Sequence, residues 1–99
     1  SKAAVLNLTR SLAVDYGPQG VRANSISPAL VKTDLSMTRL RPGEDWDERA
    51  ARDWIPKYPI GRIGQVEDVA YAAAFLASPE AGWINGIDLI LDGGMLARM

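Results

Sequence analysis

Gly20-Val21-Arg22-Ala23-Asn24-Ser25-Ile26-Ser27-Pro28 is the stretch on which the fold turns. Val21, Ala23 and Ser25 alternate to one side and Ile26 to the other, which predicts a strand over residues 21–27. Gly20 and Pro28 punctuate its ends. Upstream, Val5, Leu8, Leu12 and Tyr16 recur at spacings of three and four and predict a helix over residues 1–16. Tyr16-Gly17-Pro18 stops it, because glycine suits a left-handed cap and proline cannot continue a helix. No cap is expected ahead of this helix. Its pattern is already running at Ser1, as in a piece of a longer chain.

Downstream of the strand, residues 28–60 read as one long connection. Asp34 to Leu40 and Asp45 to Trp54 form short helices within it, and Pro42-Gly43 is a turn. Connections of this length in compact domains are usually functional, often as lids. Residues 65–78 predict a second long helix, with Glu67 and Asp68 complementing its dipole and Ser78-Pro79 ending it. Residues 87–91 predict a last strand between Asn85-Gly86 and Asp92-Gly93-Gly94. The order helix, strand, lid, helix, strand is that of an α/β protein with a parallel sheet. A parallel sheet needs cover on both faces, and two strands alone leave both edges open. Further strands are therefore expected upstream.

Bulk properties narrow the chemistry. A chain of 99 residues holds one domain. A formal net charge of −1 leaves no electrostatic footprint for nucleic acid or an anionic membrane. The chain has no cysteine and no histidine, which excludes a disulfide framework, a thiol nucleophile and a Cys/His zinc site, so no metal is expected. No apolar run has the length of a membrane span, and Ser1-Lys2-Ala3-Ala4 does not open a secretory signal. A cytoplasmic protein is expected. The chain begins with serine rather than methionine, so an excised or processed piece is expected too.

Chemically useful side chains are sparse. Lys2 is either a general acid/base or a solvated charge near a helix start. Ser27 and Thr33 could hold a ligand or cap a turn. Asn24 could do the same or satisfy local backbone, and Asp92-Gly93-Gly94 reads as a turn before it reads as an ion loop. The charged run from Arg39 to Arg52 reads as a solvated face, and Trp46, Trp54 and Trp83 as core or interface anchors. Position adds weight to one segment. Ligands of open α/β sheets bind beyond the carboxyl ends of the strands, and residues 27–33 leave such an end.

Several blocks together resemble the short-chain dehydrogenases/reductases. Ser1 to Val5 with Leu12-Ala13-Val14-Asp15-Tyr16-Gly17 is similar to the helix that carries the family's Tyr-x-x-x-Lys motif. Gly20 to Pro28 resembles its next strand, and Val31-Lys32-Thr33 its nicotinamide-side loop. Pro59-Ile60-Gly61-Arg62-Ile63-Gly64 with Glu67-Asp68-Val69-Ala70 resembles the return of its lid and the following helix. Phe75-Leu76-Ala77-Ser78 and Asn85-Gly86 to Gly94 resemble its closing strand.

The resemblance implies the C-terminal portion of a Rossmann-type, doubly wound parallel sheet: its last two strands with their helices and the substrate lid. It implies NAD or NADP as cofactor, a small alcohol or ketone as substrate, and a homo-oligomeric parent, a dimer or tetramer. Lys2 would be the motif lysine, catalytic and cofactor-binding; it holds ribose hydroxyls and lowers the pKa of a tyrosine four residues upstream. Pro28, Val31 and Thr33 would contact the nicotinamide carboxamide. The competing expectation is a truncated, non-catalytic piece that keeps the lid and subunit-interface elements. Ala29, Asn85 and Val66 depart from the family's usual Gly, Thr and Pro. A left-handed Ala29 would be strained by about 1 kcal/mol.

Overall fold

The computed structural model describes residues 1–98 and divides into two compact units. One comprises Ser1–Ser27 with Ala70–Ile90, the other Pro28–Val69 with the chain from Leu91 on. The element order is α1 (Lys2–Tyr16), β1 (Ser25–Pro28), α2 (Trp46–Arg49), α3 (Val66–Ala77) and β2 (Asp88–Leu91), with short turns of other helix between them. β1 and β2 pair in a two-stranded sheet. Ser25 N–H donates to the Ile87 carbonyl at 2.9 Å and Ala29 N–H to Leu91 at 2.9 Å. Both partners advance by the same number of residues in the same direction, which makes the pair parallel.

In the first unit, α1 does have a cap. Ser1 Oγ accepts the Ala4 N–H at 3.3 Å, so the expectation of an uncapped start is corrected. After Tyr16, Gly17–Gln19 tightens into a 3₁₀ turn, closed by Gly20 at φ 80°. The strand expected over 21–27 is shorter and shifted: it spans Ser25–Pro28. Before it, side-chain amides join a single backbone bond, Gly86 N–H to the Ala23 carbonyl at 2.8 Å. Asn85 Oδ1 accepts the Ala23 N–H at 3.0 Å, and Asn24 bonds the Ile84 carbonyl at 3.1 Å and the Ile87 N–H at 3.1 Å. A further amide bond, Asn85 Nδ2 to the Ala13 carbonyl at 3.1 Å, ties α1 to the segment before β2. Gly86 sits at the crossing with φ +82°, and a Cβ there would lie 3.2 Å from Ala13 Cβ. Arg22 donates to the carbonyls of Leu76 at 2.7 Å and Ser78 at 3.1 Å, satisfying carbonyls left over at the end of α3.

In the second unit, an aromatic cluster forms the core. Trp46, Ala50, Trp54, Tyr58 and Ile63 are all buried, with the two indoles 4.9 Å apart between ring centroids and tilted by 59°. Asp45 caps α2 by accepting the Glu48 N–H at 3.1 Å. The helix then widens into a π turn over Ala50–Trp54 and narrows into a 3₁₀ turn over Ile55–Lys57. Arg49 anchors this segment, bonding Glu44 at 2.9 Å and Asp53 at 2.7 Å. Gly93, at φ +58°, packs so closely that a Cβ would lie 2.8 Å from Ile60 Cγ2. No non-glycine residue has a positive φ among the described residues, so Ala29 carries no left-handed strain. Among those residues no helix is long and apolar enough to cross a membrane.

Candidate functional site

β1 ends at Pro28, and the next residue, Ala29, makes a further backbone bond to the Leu91 carbonyl. Beyond it the chain passes Val31, which forms an isolated parallel bridge with Gly64. The bridge is made by its neighbours: Gly64 N–H donates to Leu30 at 3.1 Å, and Lys32 N–H donates to Gly64 at 2.9 Å. The N–H and C=O of Val31 itself point away from residue 64, as parallel geometry requires, and have no backbone partner among the described residues. Thr33 and Ser36 then cap each other. Thr33 Oγ1 accepts the Ser36 N–H at 3.0 Å, and Ser36 Oγ accepts the Thr33 N–H at 2.8 Å. The Thr33 hydroxyl keeps its proton for another acceptor.

Pro28, Val31 and Thr33 line one cavity of about 750 Å³ in the second unit. Arg39, Lys57 and Tyr58 share its wall, as does the edge of Trp54. Trp54 is thus both core anchor and cavity wall, while Trp46 belongs to the core alone. Tyr58 Oη accepts the Leu30 N–H at 3.4 Å, which holds the loop behind β1 against the lid. The ring can still donate its hydroxyl proton. Open volume, a backbone donor and acceptor, and two hydroxyls are what a site for a polar planar amide needs.

Lys2 belongs to the first unit, exposed in the first turn of α1, and is not among the residues that line this cavity. Its neighbourhood holds a residue that the sequence reading missed. Asp88 Oδ1 accepts from Ser27 Oγ at 2.7 Å and from Ser25 Oγ at 2.8 Å. The Ser27 hydroxyl first, then the Ser25 hydroxyl and the positive charge of Lys2, hold the Asp88 carboxyl below its ordinary range against the opposing effect of desolvation. A carboxylate inside Ile87-Asp88-Leu89-Ile90-Leu91 was the available signal, since an acid in an apolar strand needs partners. Asn24 does not satisfy local backbone as expected but bonds backbone 60 and 63 residues away, at Ile84 and Ile87, and Asp92 accepts the Gly94 and Leu96 N–H groups, each at 3.0 Å, as the cap of a turn.

A family model described as enoyl-(acyl carrier protein) reductase matches residues 1–96. Solved short-chain dehydrogenases superpose on nearly the whole chain. One from Francisella tularensis gives a TM-score of 0.86 at 31% identity, over 97% of this chain and 41% of that one. The chain belongs to the short-chain dehydrogenase/reductase family. A second structure of this family, from Agrobacterium tumefaciens, was proposed to be a 2-deoxy-d-gluconate 3-dehydrogenase and holds bound NADP. It matches with a TM-score of 0.82 at 35% identity, over 98% of this chain and 37% of that one.

Among curated relatives, 2-(S)-hydroxypropyl-CoM dehydrogenase 3 of Xanthobacter autotrophicus is 41% identical over 98% of this chain and 38% of its own length. Meso-2,3-butanediol dehydrogenase of Serratia marcescens is 40% identical over 98% of this chain and 36% of its own length. The chain thus spans about two fifths of the length of the curated relatives it matches. An inactive 2-(S)-hydroxypropyl-CoM dehydrogenase 2 from Xanthobacter autotrophicus is 43% identical over the same share of this chain. Likeness in this part of the short-chain dehydrogenase/reductase sequence therefore does not by itself carry activity.

Proposed function

We propose that these residues are the C-terminal part of one Rossmann-type domain in an NAD(P)-dependent oxidoreductase that interconverts a secondary alcohol and a ketone. The observation that carries this reading is the free N–H and C=O of Val31 in the wall of the cavity that Pro28 and Thr33 also line. A carboxamide offers the complementary pair: its oxygen accepts from the amide and its NH₂ donates to the carbonyl. The residues present therefore fit a nicotinamide, with the Thr33 hydroxyl as an added donor. The cofactor, when bound, supplies hydride chemistry, and the protein supplies position.

Lys2 has a second task in this reading. Its ammonium would hold ribose hydroxyls and favour the phenolate of a tyrosine four residues upstream, so that the tyrosine can take the alcohol proton. Asp88, bonded by Ser25 and Ser27, is a carboxylate whose charged form the positive charge of Lys2 favours. The lid, residues 34–60, would exclude water and choose the substrate. The parent would assemble as a dimer or tetramer. Its support is apolar surface: Val5, Leu8 and Leu12 on α1, Tyr71 and Phe75 on α3, and Trp83 at 96% exposure are all uncovered.

The test uses the full-length protein that carries this sequence. Nicotinamide absorbance is followed with NAD and NADP against a panel of secondary alcohols and ketones. Turnover is expected with one cofactor, and Lys2→Met is expected to lower kcat by about 10²-fold or more. No turnover across the panel, or a Lys2→Met variant at full rate, would overturn the reading.

A further inference from the structure

Cations in the second unit are placed in several ways: Arg98 donates to the Pro56 carbonyl at 2.8 Å, and Arg41 is not part of the cavity wall. Arg49, Arg52 and Arg62 are each bonded to carboxylates: Arg49 and Arg52 to Glu44 and Asp53, and Arg62 to Asp68 at 2.7 Å. Lys32 lies over the Trp46 ring, 5.7 Å from its centroid. Arg39 and Lys57 differ. Neither forms an ion pair among the described residues, and both line the 750 Å³ cavity. No aspartate or glutamate is part of that wall.

Each of the two cations closes a single 3₁₀ turn, Ser36–Arg39 and Ile55–Lys57. A helix dipole favours a cation at such a position. One turn carries little dipole, though, and the preference does not explain why both residues line the same cavity without a counter-charge. The neighbouring Arg49 shows the alternative. Four residues from an aspartate on its own helical segment, it is neutralised where it stands.

We propose that Arg39 and Lys57 form the anion-recognition end of the substrate site, so that the preferred alcohol or ketone carries a carboxylate or sulfonate at a distance from the reacting carbon. The proposal rests on the oxidoreductase reading above and sharpens it. Arg39 offers a planar fork of donors to two anionic oxygens, and Lys57 adds a compact second charge. The Thr38 hydroxyl is already committed to the Leu35 carbonyl at 2.6 Å, and the two cations are the charged donors on that wall, with the Tyr58 hydroxyl as a neutral one. The hydroxyl of Thr33 and the free amide of Val31 remain for the cofactor end of the cavity.

Paired ketones test this in the full-length protein. 4-Oxopentanoate and 4-oxopentane-1-sulfonate are compared with 2-pentanone, which has the same reacting group and a methyl end. The anionic ketones are expected to have the lower KM. In Arg39→Gln and Lys57→Gln that advantage is expected to shrink on the order of tenfold to hundredfold, through KM more than kcat. Arg39→Lys should restore part of it. The carboxylate and sulfonate arms show which anion is preferred. An equal rise in KM for charged and neutral ketones would overturn the proposal. So would a preference for 2-pentanone, or a rise confined to KM for NAD or NADP, which would move the cations to the cofactor.

Calorimetric titration of 4-oxopentanoate into the cofactor-loaded protein keeps the two readings separable. Absent turnover with every ketone defeats the oxidoreductase reading alone. Binding of 4-oxopentanoate that weakens in both glutamine variants still supports the anion site, and absence of binding overturns it.

Discussion

Ser1–Ser27 with Ala70–Ile90 and Pro28–Val69 with the chain from Leu91 on are held together in opposite ways. The first unit relies on a few polar side chains bonded to distant backbone. Arg22 reaches carbonyls 54 and 56 residues away, and Asn85 one 72 residues away. Its apolar helix residues, Val5, Leu8, Tyr71 and Phe75 among them, stay exposed. The second unit keeps its large aromatic residues inside, in the Trp46–Trp54 cluster, and spends its charges on ion pairs along the lid. A long loop can therefore have its own core. What it needs is aromatic side chains spaced to meet through successive helical turns.

The comparison can be broken most forcefully at Trp54. Trp54→Ala removes a buried indole from the cluster and is expected to destabilise the second unit by about 3–5 kcal/mol. Hydrogen exchange on the full-length protein should show faster opening of amides within residues 46–63, with those of α1 changed much less. Equal acceleration in α1 would mean that the units share one cooperative core.

A smaller effect, in the other unit, is expected from Arg22→Met. The substitution keeps the length of the side chain and removes its donors, leaving the Leu76 and Ser78 carbonyls without that partner. A loss of about 2–3 kcal/mol is expected from bonds to a charged donor. The same experiment should read it at the end of α3 and around β2. An effect no larger than that of an ordinary surface substitution would show that solvent replaces the guanidinium there.

The mildest distinction is acid sensitivity. Asp53 is held at about 2 by the Arg52 side chain first and by Arg49, and Asp68 at about 2 by Arg62 and the Gln65 N–H. Both carboxyls are more acidic in the folded chain than their ordinary 3.8. Their contribution is therefore complete above that value and is lost as pH falls through the interval down to about 2. Both groups are exposed, so added salt should reduce the effect. Carboxyl chemical shifts followed through this interval should give both depressed midpoints. Midpoints near 3.8 would show that the lid ion pairs do not persist in solution.

Signals that act over a few residues were legible in the sequence. Periodicity marked α1 and α3, Pro28 marked the carboxyl end of β1, and Val31 to Thr33 stood out as backbone leaving that end. The short helix read over Asp45 to Trp54 holds both lid tryptophans, and the structure has helical turns from Trp46 to Trp54. The strand was read too early because Val21 to Asn24 alternates as a strand does, yet its backbone makes other bonds: Val21 N–H to the Tyr16 carbonyl, Ala23 N–H to the Asn85 side chain and the Ala23 carbonyl to Gly86 N–H. Nothing within four residues of Asn85 indicates that partner.

Local sequence thus determined where the helices run, where the first strand stops and which loop follows its carboxyl end, because caps, proline and periodicity work between near neighbours. Tertiary structure alone decided that Ser25 and Ser27 would meet Asp88, and that Arg39 and Lys57 would share a cavity. The partners of a charge are chosen by distance in space. For a side chain whose partner lies tens of residues away, that distance exists only once the chain has folded.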